Sequence, residues 1–217
     1  PCIWYTEEYQ RMFDLMTESV LKDKTLKEKF KNIKKIYFSR RKFGKAAATE
    51  FGEEYIEQCF NQNGYESLGP ETLTLREQIY VWNHAEAIAC MNGTIPLNVV
   101  FCKNEKLKLT ILNKMSIYHK NPYIYLYMRN IQAEFIDIYK EPLKGYPKSL
   151  GEGPYLIKTG KEFFHYCQRE KFEIPYTGMK LKFYDLKQEI RYYLCVIGIG
   201  NKIRRVGSYI KRKMLRR

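Results

Sequence analysis

The stretch "ACMNGTIPLNVVF", residues 89–101, governs how the chain folds. Small and apolar residues run into Asn92-Gly93-Thr94, and a second apolar run restarts behind Pro96. The first half reads as a buried strand. The second reads as a helix start, because proline is tolerated in a first turn where its missing N–H has no intrahelical partner. The turn between them has two readings. It brings backbone N–H groups close to an anion, or it is only a tight strand-to-helix connection.

The same alternation extends outward on both sides. Upstream, "KKIYFSRR" predicts a strand centred on Ile36, Tyr37 and Phe38. "GEEYIEQCFNQNGY" predicts a helix closed by Asn63-Gly64, and "YESL" a brief strand. A further helix starts near Thr74. Downstream, "EKLKLTILN" and "AEFIDIY" read as strands around a helix over residues 123–131. Strands alternating with helices at this spacing predict an α/β fold: a doubly wound, Rossmann-like parallel sheet with helices on both faces. Such sheets bind ligands beyond the C-terminal ends of their strands. The expected organisation is an N-terminal helix over 1–32, capped by Thr6, and the Rossmann-like domain over 33–140. A helical C-terminal extension over 141–201 and a basic amphipathic tail over 202–217 complete it.

Composition narrows the class. No run of about 18 apolar residues occurs, so no membrane-spanning helix is expected. The start at Pro1 carries no basic-then-apolar leader. The six cysteines (Cys2, Cys59, Cys90, Cys102, Cys167, Cys195) have no ligand spacing and read as reduced thiols in a cytoplasmic protein. The net charge of +14 resembles a nucleic-acid signal until it is located. Residues 202–217 hold eight basic and no acidic residues; without them 30 basic residues face 24 acidic ones, a net of +6. The charge is mainly a tail property, and no helix-turn-helix, RRM or OB signature accompanies it, so no nucleic-acid partner is expected. In the tail, Ile203, Val206, Ile210 and Met214 fall on one helical face, which reads as binding to an anionic membrane surface or an acidic partner, or as a helix packed across its own domain.

Three loops at strand C-termini carry chemistry: Ser39-Arg40-Arg41-Lys42, Asn92-Gly93-Thr94 with Asn98 behind it, and Lys114 with Tyr118 and His119. A glycine turn into a helix start offers free N–H groups and the positive end of a dipole. A guanidinium at a neighbouring strand end adds bidentate phosphate contacts. Each feature alone is weak; together they favour a phosphate-bearing ligand. There is no D-x-D pair, since Asp14, Asp23, Asp137 and Asp185 are isolated, so no metal is expected. Arginines and backbone amides would then carry the charge of a bound phosphate. Candidates for a general base are His119, His84 and Glu53.

Residues 34–139 resemble glycosyltransferase family 61 in the order of "FSRR", "EFGEEYIEQCF", "GYESLGPETLTLREQIYVWNHAEAIACMNGTIPLN" and "EFIDIY". The resemblance is nearest the bacterial branch tied to capsular or exopolysaccharide synthesis. It implies an inverting enzyme of the two-Rossmann-domain (GT-B) type. This chain would be its C-terminal, nucleotide-sugar-binding half, with a UDP-sugar as donor substrate and no cofactor. It assigns Arg40, with Arg41 beside it, to the strand-end arginine. Asn92, Gly93 and Thr94 become the phosphate turn, and Glu77, Gln78 and Asn98 match as well. Asn92 replaces a frequent histidine and Gly52 a usual asparagine. The implied acceptor is a glycan or lipid-linked glycan, at the inner face of the plasma membrane. Two other classes stay open: a nucleotide-binding remnant without activity, and a basic nucleic-acid-binding module.

Overall fold

Thr6 starts the first helix, α1 (Glu7–Leu21), by accepting the Tyr9 N–H on its hydroxyl, with Glu7 and Glu8 in the positive first turn. The computed structural model describes residues 5–117, 120–149 and 151–198. Two helices occupy the segment expected to hold one. The Asp23 carboxylate accepts the Thr25 and Leu26 N–H groups and so caps a separate helix, α2 (Lys24–Phe30). A short acidic side chain competes for nearby backbone donors, so it favours a helix start over a helix interior. Val20, Leu26 and Phe30 then pack into the same core as the strands.

Five strands form the main sheet: β1 (Lys35–Phe38), β3 (Glu66–Leu68), β4 (Ala87–Met91), β5 (Lys108–Asn113) and β6 (Ala133–Asp137). All their pairings are parallel, in the order β3-β1-β4-β5-β6. A short helix, α3 (Gly44–Thr49), leads into a second, small sheet that joins β2 (Glu50–Phe51), β8 (Tyr155–Ile157) and β7 (Tyr139–Lys140). The extension expected to be helical therefore also contributes a strand.

Side-chain alternation builds two cores. Ile36, Phe38, Ile88, Cys90, Leu109 and Ile111 face Trp82 of α5 (Leu75–His84) and Leu126 of α6 (Pro122–Met128). Tyr37, Ala89, Met91, Leu112 and Ile136 face the other way. They meet Tyr55, Ile56 and Phe60 of α4 (Glu53–Gln62), and Phe163 and Tyr166 of α7 (Lys161–Arg169). Every residue of β4 is buried, as a parallel strand covered on both faces requires. The fold is the doubly wound, Rossmann-like α/β sheet. With β2 set aside, the chain order across the sheet is 2-1-3-4-5. The winding reverses between β1 and β4, with α4 on one face and α5 on the other. Ligands of such sheets sit outside the carboxyl ends at that reversal.

After a first 3-10 turn, η1 (Pro70–Thr72), the run behind Gly93 is a second 3-10 helix, η2 (Ile95–Phe101), not the start of an α-helix. Its three-residue period stacks Pro96, Val99 and Cys102, all buried, along one ridge. Ile95, Val99 and Val100 are β-branched, which further disfavours the α form. A short 3-10 turn has no long dipole, so an anion here depends chiefly on side chains. His119, Tyr118 and residues 202–217, including the expected amphipathic tail, lie outside the described residues.

Candidate active site

Beyond the end of β1 the chain is pinned from below. Glu53, the first residue of α4, accepts the Arg40 N–H at 2.8 Å and the Tyr37 hydroxyl at 3.1 Å on one carboxylate oxygen. Glu53 can stand there because Gly52 turns the chain with φ +108°. A Cβ on Gly52 would lie 2.1 Å from the Ile157 carbonyl oxygen. No residue with a side chain fits that turn.

With its backbone fixed, Arg40 reaches sideways. Its Nη2 lies 3.2 Å from Glu50 Oε1, and Lys114 Nζ, just past β5, lies 2.7 Å from the same oxygen. The Glu50 and Lys114 side chains are 2% and 4% exposed, and that of Arg40 is 17% exposed. Lys114 also sits 4.1 Å from the Tyr155 ring centroid, and the Arg40 guanidinium 5.8 Å from that of Phe43. Two cations thus share one carboxylate oxygen away from bulk water. Burial pushes the Glu53 carboxyl up to about 7, against the Arg40 N–H that favours its charge. Burial also lowers Lys114, opposed by Glu50 and reinforced by Arg40. With Glu53 protonated, the cluster keeps one positive charge in excess.

That excess faces open space. One cleft of about 440 Å³ is lined by Arg40, Glu50, Gly93, Thr94, Lys114 and Tyr155 among others. A second, of about 310 Å³, lies between Pro70, Glu71 and Gln78 on one side and Ile95 and Asn98 on the other. Arg40, Phe43 and Thr94 line both, so these are two lobes of one opening at the switch point. Arg40 Nε, Glu50 Oε2 and Asn92 Oδ1 are buried here without hydrogen-bond partners. Such atoms are costly to leave unmatched, and the two on side chains that line the cleft, Arg40 and Glu50, mark a place for a polar ligand.

The structure brings Arg40, Gly93, Thr94, Gln78 and Asn98 together around this opening. Asn98 donates to Gln78 Oε1 at 2.7 Å, and Gln78 Nε2 donates to the Pro70 and Leu73 carbonyls, which fixes the loop walling the smaller lobe. Asn92 lies beneath. It donates to Asn113 Oδ1 at 2.8 Å, and Asn113 Nδ2 donates to Asp137 Oδ1 at 2.8 Å, a rung across the ends of β4, β5 and β6. Gly93 does not have positive φ, and a Cβ there would meet only Arg40 Nη1, at 3.8 Å. The turn does not need glycine for its shape.

Three expected residues stand elsewhere. Arg41 pairs with Glu57 at 2.6 Å and Glu54 at 3.5 Å along α4, outside both lobes. Glu77 closes a capping box with Thr74 and pairs with Lys29, which holds its carboxyl down at about 2. His84 ends α5 at the opposite edge of the sheet, stacked on Tyr80. Burial and the neighbouring Lys34 depress its pKa. Glu53 is 3% exposed and holds the Arg40 backbone from behind. Sequence reading missed Glu50, Phe43 and Tyr155. Glu50 opens the segment "EFGEEYIEQCF", but as a lone acid between small residues and Phe51 it gives no sign of its partners.

The fold and this opening define a Rossmann-like α/β protein with a basic cleft at the switch point of its sheet. The sequence profile of Glycosyltransferase 61 matches residues 4–112, half of the chain, so the chain belongs to glycosyltransferase family 61 and is a glycosyltransferase. None of the curated proteins matches it. The family match begins before α1 and stops at Leu112 in β5, so Lys114 and Tyr155 lie beyond it.

Proposed function

We propose that this glycosyltransferase takes its sugar from a UDP-sugar and moves it to a glycan acceptor with inversion and without a metal ion. It would do so as the C-terminal half of a GT-B enzyme in capsular or exopolysaccharide synthesis. The observation that carries this reading is the convergence of Arg40 and Lys114 on one Glu50 oxygen beside the Gly93-Thr94 turn. A diphosphate leaving group gathers negative charge as the glycosidic bond breaks. Fixed cations in a dry cleft stabilise that charge more than they stabilise the ground state. The larger lobe suits the diphosphate and sugar, and the smaller one, walled by Pro70 and Ile95, suits the nucleoside. Glu53 positions Arg40 from behind and does not face the acceptor. The base for the acceptor hydroxyl is then His119 or a group outside the described residues. Residues 202–217 would hold the enzyme peripherally at the inner face of the membrane.

Calorimetry with UDP tests the donor half of this reading. The expected result is equal affinity in EDTA and in Mg²⁺. In Arg40→Ala the affinity falls by about 1.5–3 kcal/mol, the scale of a charge-assisted hydrogen bond. A thermal melt confirms that the variant is folded. Unchanged affinity in the folded variant, or binding only with Mg²⁺, refutes the assignment. UDP binding with no transfer to any glycan would reduce the chain to a nucleotide-binding remnant.

A further inference from the structure

The longest helix, α8 (Gly178–Val196), has one face with no partner among the described residues. Met179, Phe183, Leu186, Ile190, Tyr193 and Ile197 are spaced four, three, four, three and four apart. All six are between 40% and 66% exposed. That spacing aligns them in a single stripe along the helix. The opposite face is already used: Gln188 and Tyr192 are buried, Tyr192 packs on Phe51 of β2, and Tyr184 donates to the Gly52 carbonyl at 3.1 Å.

The charges beside the stripe select its occupant. Lys180, Lys182 and Lys187 flank it on both sides and are exposed. The carboxylates of the helix turn away: Asp185 pairs with Lys158, and Glu189 with Lys140 and Lys158. A three-and-four spacing also describes a coiled-coil seam, so a second copy of this chain is the first rival. Parallel pairing would set Lys182 of one copy against Lys187 of the other. Antiparallel pairing about the middle of the stripe would set Lys187 against Lys187 and Glu189 against Glu189. Both arrangements put like charges at the seam edge. A surface of anionic lipid has the opposite preference. The apolar stripe enters the acyl boundary while the flanking lysines reach back to headgroup phosphates. The exposed apolar residues of α1, Met12 and Leu15 among them, share their helix with Glu7, Glu8 and Glu18 and offer no such rim.

We propose that α8 docks the protein on an anionic lipid surface, with the stripe from Met179 to Ile197 inserted and Lys180, Lys182 and Lys187 at the level of the phosphates. No described helix is long and apolar enough to cross a membrane, so the helix lies in the surface. This contact is independent of residues 202–217 and of sugar transfer. It does set the cleft close to the lipid, because α8 packs on Phe51, the neighbour of Glu50. A lipid-borne substrate would meet the site at short range.

The test is co-sedimentation of the full-length chain with phosphatidylcholine vesicles, with and without phosphatidylglycerol. Three proteins are compared: wild type, Phe183→Glu with Ile190→Glu, and a chain in which the eight basic residues after position 201 are glutamine. Wild type should pellet with the anionic vesicles only. The stripe variant should lose at least tenfold in partition at every salt concentration. The tail variant should keep a salt-resistant bound fraction. Circular dichroism melts and UDP calorimetry on the stripe variant should match wild type, which separates this question from the donor site. Equal pelleting of the stripe variant and wild type overturns the proposal, as does no pelleting by wild type. A wild-type dimer in light scattering that the stripe variant converts to monomer also overturns it, by giving the face to a second copy.

Discussion

The two edges of the main sheet treat charge in opposite ways. At the N-terminal edge, Lys34 and Glu86 sit 3.9 Å apart with side chains 48% and 67% exposed, a solvated pair of the kind that contributes little. At the C-terminal edge, Glu50 and Lys114 are almost wholly buried, Arg40 is mostly so, and two of these three side chains keep an unmatched polar atom. The strands and their core are continuous from one edge to the other, so fold stability does not require the difference. Burying charge with polar atoms left over costs free energy. Unmatched buried atoms also occur at His84 Nε2 and Arg129 Nη2, but those of Arg40 and Glu50 belong to side chains that line an open cleft at the C-terminal edge, where a ligand arriving from outside can meet them. In a parallel sheet of this winding, that edge is the one where β1 and β4 part.

The largest expected effect comes from the turn that props this edge. Gly52→Ala must either move the Ile157 carbonyl or abandon φ +108°. Either outcome disturbs the start of α4 and the seat of Glu53. A loss of more than about 3 kcal/mol is expected in denaturant unfolding. A variant as stable as wild type would show that the C-terminal edge is not built on this glycine.

Glu53 gives the next effect, and its sign is fixed by burial. Its carboxyl titrates near 7 in the folded chain, above the usual 4.5, so the native state holds the proton more tightly. Its contribution to stability is complete below about 4.5 and is lost as pH rises through 7. The nearby carboxylates of Glu50 and Glu57 add to the rise, while the Arg40 N–H and the Tyr37 hydroxyl oppose it. Glutamine keeps an oxygen for both donors and cannot ionise. Relative to wild type, Glu53→Gln should gain up to about 3 kcal/mol between pH 4.5 and pH 8. Parallel stability profiles for the two proteins across that range would place the titration elsewhere.

How much of this edge was legible differs residue by residue. Continuous apolar runs in "KIYF" and "AIACM" revealed the strands, because each of their faces has a core to meet. Arg40, Thr94, Gln78 and Asn98 could be found because they stand at strand ends or in a recognisable family segment. Glu50 could not. Its partner Lys114 is 64 residues away, and only the tertiary fold brings the two side chains within 2.7 Å of each other. Glu77 misled for a local reason: an acid three residues after a threonine has a capping role that outranks a ligand role. The division at Asp23 and the 3-10 form of η2 escaped because side-chain competition for backbone donors, and a period of three in place of 3.6, are faint in an apolar pattern.

Gly93 offers a smaller effect, visible in affinity only. Its backbone is unstrained, and the space around a Cβ holds only the Arg40 guanidinium at an ordinary distance. Gly93→Ala should therefore melt within about 0.5 kcal/mol of wild type. The added methyl would occupy room beside Arg40 that a phosphate needs, so UDP should bind weaker by about 1 kcal/mol. A large drop in melting temperature would mean that the turn is glycine-dependent after all.

The smallest effect tests the opposite edge directly. His84 follows α5 down to the starts of the strands, where the Glu86 N–H bonds the Lys34 carbonyl at 2.8 Å and β4 begins at Ala87. The donor cleft lies at the other ends of these strands, past Phe38 and Met91. The length of the sheet therefore separates the imidazole from any ligand there. The depressed pKa keeps His84 neutral at pH 7, so its loss changes no charge in the long-range field. His84→Ala removes a ring stacked on Tyr80 and should lower stability modestly, by about 1 kcal/mol, without touching the cleft. UDP affinity measured by calorimetry should stay within about 0.5 kcal/mol of wild type, the usual limit for sites that share no partners. A tenfold loss of affinity in a folded His84→Ala protein would couple the two edges, and the division of charge between them would no longer locate the site.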